Sequence, residues 1–223
     1  SLVIAAELLI MTFRIFSSRE FRQGMYIILG LITFFSAFWS LANGIQYITN
    51  DKQIAMTVYR MGSIGWTMGV SFWFLFFYEL YLHAAERKRI IYIHLLLLAT
   101  GIIFWGAALD GKLYITDMLY TKWWGWEEIV DKSSPWVIAF DSVIGALIVF
   151  NLIQIIIIIR KTRLKKNARQ FKMIGLIFGI ATIPTALINL AFPVMDIKTL
   201  PPLVNMLLGG ASLFIGAVIM RHK

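Results

Sequence analysis

Long apolar runs alternate with short polar turns along the 223 residues, and the runs set the plan of the chain. A helix needs roughly 20 apolar residues to cross a bilayer. Seven segments meet or approach that length: 1–16, short at its start, then 24–48, 54–82, 90–108, 136–160, 171–191 and 202–220. Polar turns separate them at 17–23, 49–53, 83–89, 109–135, 161–170 and 192–201. The pattern predicts an all-α polytopic membrane protein, a single domain over 1–223 built as a seven-transmembrane helix bundle.

Charge orients that bundle. Arg160 to Lys172 holds seven of the chain's 21 Lys and Arg residues between two apolar runs. Taken at alternate ends of the segments, fifteen Lys and Arg fall on the side of this stretch and six on the other: Lys52, Arg60, Lys112, Lys122, Lys132 and Lys198. Basic residues beside membrane spans stay in the cytoplasm, so the amino end is expected outside and the carboxyl end inside. The basic stretch reads first as a solvated loop and second as a site for anionic lipid heads.

Composition agrees with a bilayer setting. The chain is 59% hydrophobic, with 17 Phe, 8 Trp and 8 Tyr, more apolar than a soluble domain. A net charge of +9 raises nucleic acid as a partner, but the basic residues sit in turns between spans rather than along one face, so no nucleic-acid partner is expected. No cysteine is present, which removes disulfide and thiol chemistry. Ser1 opens directly onto apolar residues, so the chain is expected to be trimmed or processed there, without a signal peptide.

Three further patterns bear on packing. Loop 109–135 carries Lys122-Trp123-Trp124-Gly125-Trp126-Glu127-Glu128. It reads first as an interfacial aromatic belt and second as a lid. Gly65/Gly69 and Gly175/Gly179 are spaced for close helix approach, which favours packing within the bundle over a dimer seam. Arg22-Gln23 with Leu41-Ala42-Asn43 is echoed by Arg169-Gln170 with Leu187-Ile188-Asn189. That echo suggests two three-helix repeats around a lone fourth helix, the 3+1+3 plan of some transporters.

Polar groups at membrane depth are costly, so each is a functional candidate until a partner is found. Arg60 in the third segment and Asp141 in the fifth each lie about two turns from one end, roughly 9 Å deep. Trp39, Asn43 and Gln46 share one face of the second segment, and Ser63 and Thr67 continue the Arg60 face. Thr185 and Asn189 come from the sixth segment, Asn205 from the seventh, and Glu7 lies nearer mid-depth in the first. One layer fed by several helices is how a bundle builds a pocket. Arg60 offers a planar fork for a carboxylate or phosphate, and Asp141 or Glu7 suits an amine. Arg60 and Asp141 either bind ligand or satisfy each other. Pro184 is expected to kink the sixth helix, and Glu79 to pair with an Arg of the first or fifth loop.

Enzymatic constellations are missing. His83, His94 and His222 make no HExxH helix, and no Gly-x-Ser-x-Gly, phosphate loop or Cys-His set occurs. An intramembrane aspartyl protease needs two aspartates, and a retinal protein needs a Lys within 202–220, where there is none. No catalytic residue, metal or cofactor is expected.

Several motifs together resemble a known family. They are Phe38-Trp39-Ser40-Leu41, Arg60 with Gly65, Phe74-Leu75-Phe76-Phe77-Tyr78, Trp124-Gly125-Trp126, Arg169-Gln170, the Pro193 to Pro202 turn, and Arg221-His222-Lys223. Across nearly the whole chain the pattern resembles the seven-helix N-terminal sensor region of bacterial membrane histidine kinases, some relatives of which carry a diguanylate cyclase. The resemblance implies a sensor in the bacterial inner membrane, homodimeric in the full receptor, whose last helix signals to a cytoplasmic output domain beyond Lys223. Expected partners are the lipid bilayer and an extracellular small molecule held by Arg60, Asp141, Asn43, Gln46, Trp39, Ser63, Asn189 and Asn205. A small-solute transporter is the alternative; a lipid-binding or scaffold protein is the third class.

Overall fold

The computed structural model describes residues 2–17, 24–85, 91–113, 117–122, 125–129 and 131–161, with isolated helical positions at 173, 176, 210 and 214. Five helices and one hairpin follow in order: α1 (Leu2–Phe16), α2 (Gly24–Ile48), α3 (Lys52–Ala85), α4 (Ile91–Leu109), β1 (Asp117–Thr121), β2 (Gly125–Ile129) and α5 (Pro135–Lys161). The helices match the first five apolar runs to within three residues at each end. Segments 171–191 and 202–220, with Pro184 and Gly175/Gly179, lie outside the described residues apart from those isolated positions.

The helix starts follow from local chemistry. Asp51 precedes α3, and its Oδ1 accepts the amides of Gln53 at 2.7 Å and Ile54 at 3.1 Å. This is an N-cap on donors that have no partner inside the helix. Pro135 opens α5, a position where a missing amide costs nothing. Asp131 shapes the turn before it by accepting the Ser133 amide at 2.9 Å and hydroxyl at 2.6 Å. Those bonds hold the Asp131 carboxyl below its ordinary range, with the Ser133 hydroxyl as the largest cause.

The chain is mostly helical but not all-α. The loop expected to be a plain aromatic belt holds an antiparallel hairpin, with Asp117 opposite Ile129 and Thr121 opposite Gly125. Tyr120 and Thr121 of β1 and Trp126 and Ile129 of β2 are residue types that favour paired strands.

Helix α3 is the centre of the bundle and packs against α2, α4 and α5. Every residue from Ser71 to Leu80 is buried, a pattern that only a helix surrounded by others can show. Its Phe72–Phe77 run and Leu80 join Leu29 and Ile32 of α2, Leu97 of α4, and Ile155 and Ile158 of α5 in one cluster. Gly62 faces Ala42. At Gly65, a Cβ would stand 2.7 Å from the Phe35 carbonyl oxygen and 2.7 Å from the Trp39 amide nitrogen. The Gly65 pair member therefore serves contact within the bundle, between α2 and α3. Helix α1 runs antiparallel beside α2: the Thr12 and Thr33 hydroxyls are 2.9 Å apart, and the Phe16 ring lies on Gly30.

Polarity is inverted relative to a soluble domain. Large apolar side chains face outward on α1 (Ile10, Phe13), α4 (Leu96, Ile103) and α5 (Val149, Ile156). Thr33, Asn43, Gln46, Ser63, Thr67, Glu79, Asn151 and Gln154 are buried. Apolar faces of this extent are not left in water by a soluble monomer. Among the described residues three helices, Gly24–Ile48, Ile91–Leu109 and Pro135–Ile158, are long and apolar enough to cross a membrane. The central helix is not among them, because Ser, Thr and Glu79 interrupt its apolar run. The fold and its inverted polarity define a helical membrane protein.

Gly65→Ala is expected to destabilise the bundle by about 1–3 kcal/mol, because its methyl meets fixed backbone of α2. Gly106→Ala, with nothing within 4 Å, should be neutral or gain up to about 1 kcal/mol. Thermal unfolding in detergent checks both; equal effects would remove close approach as the reason for Gly65.

Candidate functional site

The predicted polar layer sits at the hairpin end of α2 and α3, and the hairpin builds its cover. The Gln46 side-chain amide donates to the Trp126 carbonyl at 2.8 Å, and the Trp126 indole donates to the Thr49 carbonyl at 3.1 Å. These two bonds clamp β2 onto the last turn of α2, and the second satisfies a carbonyl just beyond that helix. Gly125 takes φ 76°, and a Cβ there would stand 2.5 Å from the Tyr47 carbonyl oxygen. Only glycine suits both that backbone and that contact. Met118 of β1 is buried with Ala55 and Tyr59, bordered by Trp39, Met56 and Trp126. At the rim, Lys52 Nζ lies 2.6 Å from Asp117 Oδ1. This hydrogen bond is the largest reason that the Asp117 carboxyl is held below its ordinary value of 3.8, with the Met118 amide second.

Beneath the cover, aromatic rings tie four helices together edge to face. Tyr59 meets Trp39 at 5.3 Å, Trp39 meets Trp66 at 6.3 Å, and Phe140 meets both Trp66 and Phe104 at 4.9 Å. Such contacts add to the burial of each ring. Arg60 lies beside this chain and turns toward the α4–β1 connection. Its Nη2 is 2.7 Å, and its Cζ 3.1 Å, from where a Cβ would stand on Gly111, which takes φ 70°. The guanidinium therefore lies against bare backbone, and any larger residue at 111 would displace it. Arg60 is half-buried, and its Nε has no hydrogen-bond partner among the described residues. Leu113 anchors the same connection, fully buried with Phe104, Ala107, Val137 and Phe140.

The structure brings Trp39, Asn43, Gln46, Arg60 and Ser63 into this end of the bundle, with different availabilities. Asn43 is buried. Gln46 has given its amide to Trp126, while its Oε1 is buried with no partner among the described residues. The Ser63 hydroxyl donates to the Arg60 carbonyl at 2.5 Å, and Thr67 to the Ser63 carbonyl at 3.0 Å. Both hydroxyls are thus occupied by their own helix. Asp141 follows Phe140 on α5 and is half-buried. Asn189, Asn205 and Thr185 lie outside the described residues. Glu7 faces away from the layer, on the exposed side of α1.

Two further polar groups lie toward the opposite end of the bundle. His94 Nε2 of α4 is 2.5 Å from Glu79 Oε1 of α3, and both side chains are largely buried. The Arg partners expected for Glu79 fall in loops outside the described residues. On α5, Asn151 Nδ2 and both polar atoms of the Gln154 amide are buried without hydrogen-bond partners among the described residues. Sequence reasoning missed these two amides because it followed only the layer at the Arg60 end. The signal was present: Asn151 and Gln154 are three apart in a run of Ile and Leu.

Comparison with family models finds no match, and neither does comparison with curated proteins.

The Lys52–Asp117 bond makes hairpin docking dependent on acid. Asp117 has a lower folded than unfolded value, so its contribution is present at neutral pH and is lost as pH falls below about 3.8 and through the folded value. The protection factors of the β1 and β2 amides, exchange corrected for its intrinsic pH dependence, should therefore fall at acid pH in the wild type. In Asp117→Asn the same segment should exchange faster already at neutral pH, with a flatter pH response. Identical profiles would show that Asp117 does not hold the hairpin.

Proposed function

We propose that this chain is the outward-facing sensory bundle of a bacterial membrane signalling receptor, with the hairpin end outside. In this reading seven spans cross the inner membrane, the carboxyl end is cytoplasmic, and the last helix relays the signal to an output domain in a homodimer. The observation that carries it is Arg60. A charged, planar donor lies near one end of the bundle, directly after Tyr59 on α3 and against Gly111 of the α4–β1 connection, with its Nε unpaired among the described residues. A small carboxylate or phosphate would supply the missing acceptor through paired, charge-assisted hydrogen bonds. The aromatic edges would enclose its apolar part. Asp141, Asn43, Gln46, Asn189 and Asn205 are the remaining candidates to line the pocket. A ligand that binds one helix arrangement better than another shifts the bundle toward it.

A small-solute transporter is the second reading, favoured by Asn151 and Gln154. Their unpartnered amides and the Glu79–His94 pair extend buried polarity far beyond the Arg60 layer. Flux into proteoliposomes separates the two, since a receptor binds without net uptake.

The test screens small carboxylates and phosphates for a rise in melting temperature of the purified chain in detergent. A stabilising anion is expected, and Arg60→Ala should abolish its effect while the variant remains folded. Arg60→Lys should retain part of it, because a point charge survives without the fork. An Arg60→Ala variant that cannot be purified folded, while Arg60→Lys is unaffected by the anion, would make Arg60 structural.

A further inference from the structure

The exposed face of α1 carries a charge where a membrane helix has no use for one. Thr12 meets Thr33, and Phe16 covers Gly30, which sets the antiparallel register of α1 on α2. That register places Glu7 level with Phe38 and Trp39. At 1.5 Å per residue this is roughly 14 Å from the hairpin end of α2 and roughly 22 Å from its other end. Helix α2 is itself long and apolar enough to cross a membrane, so Glu7 lies well inside the hydrocarbon depth. Its side chain is exposed, and it shares its face with Val3 and Ile10, which are 71% and 57% exposed. Spacings of four and three put these residues on one stripe.

Hydrocarbon offers neither a donor nor an acceptor, and an acidic side chain facing it is costly in a membrane. Lipid amines sit at the headgroups and do not reach this depth. Arg14, two turns further along the same stripe, is nearer the far end and long enough to reach headgroups itself. Glu7 has neither the length nor the position to do so.

We propose that this stripe of α1 docks a membrane helix of another protein that carries a Lys or Arg at the depth of Glu7. Charge decides between that occupant and a second copy of this chain. Two copies in one membrane run in the same direction, so Glu7 would face Glu7. Among the described residues the other basic groups are no better placed. Lys52, Lys112, Lys122 and Lys132 lie at the hairpin end, Arg160 and Lys161 at the opposite end, and Arg60 is turned onto Gly111. A basic group from a partner helix would satisfy the carboxylate, and Val3 and Ile10 would supply the apolar flanks.

The chain contains no cysteine, so one introduced on an exposed loop takes a fluorophore cleanly. The labelled chain is placed in phosphatidylcholine vesicles with an acceptor-labelled synthetic Leu-Ala helix carrying one central Lys, or with the same helix carrying Leu there. Energy transfer to the Lys helix should exceed that to the Leu helix by threefold or more. Glu7→Leu should bring it down to the Leu-helix level, whereas Ala6→Leu beside it should not. A lipid-soluble carbodiimide should label Glu7 in the chain alone, and the Lys helix should protect it. Equal transfer to both helices, or transfer that survives Glu7→Leu, would overturn the proposal. So would a Glu7 that resists labelling in the chain alone, since its own chain would then cover it. Transfer between two labelled copies that is lost in Glu7→Leu would assign the stripe to a second copy instead.

Discussion

The close approach of α2 and α3 is the constraint on which the rest of the bundle depends. Gly62 and Gly65 remove the side chains that would hold the two backbones apart, and Trp39 and Phe35 of α2 fill the space. In hydrocarbon there is little hydrophobic gain from bringing helices together, so dispersion and hydrogen bonds must hold them. Close approach at Gly62 to the Ala42 methyl and at Gly65 to the α2 backbone itself favours the first of these. Once α2 is seated, its last turn presents Gln46 and the Thr49 carbonyl to the hairpin, and its first half presents Leu29 and Ile32 to the aromatic run of α3. The hairpin and the aromatic layer are therefore consequences of the glycine seam.

Hydroxyl groups serve a related purpose. Ser63, Thr67 and Ser71 all donate to carbonyls three or four residues back in α3. Each polar side chain is thereby satisfied without a partner helix, and α3 can be enclosed by apolar neighbours at no loss. Arg60, Gln46, Asn151 and Gln154 contrast with them, because each keeps a buried polar atom with no partner among the described residues. Small hydroxyls complete the helix, and the larger amides and the guanidinium remain as its unfinished chemistry.

Much of the helical plan was legible because apolar runs of bilayer length admit few alternatives. The ends of α2 came out as expected, since Gly24 and Ile48 are bounded by charged or turn residues on both sides. The hairpin was not legible: Trp-Gly-Trp reads equally as an interfacial belt, and its pairing depends on Gln46 some eighty residues earlier. The shared face of Trp39, Asn43 and Gln46 followed from helical spacing. What each residue does in the site did not. Ser63 looked available, but its hydroxyl bonds its own helix. Glu7 was placed by depth alone, because periodicity could not say which face of α1 met α2. Arg60 rests on Gly111, a contact that depends on a left-handed turn after α4 and leaves no trace in spacing.

Helix α3 has a mechanical consequence as well. Its 34 residues run without a proline or a break from the hairpin to the Glu79–His94 pair. At 1.5 Å per residue that is roughly 50 Å, longer than the hydrocarbon core is thick. Arg60 and Glu79 are fixed to the same rod, and Glu79 lies within the ten-residue stretch Ser71–Leu80 in which every residue is buried. A rod gripped near one end behaves as a cantilever. A sideways displacement of the guanidinium end would load the aromatic grip around Glu79 as a torque, with little translation at the imidazole end.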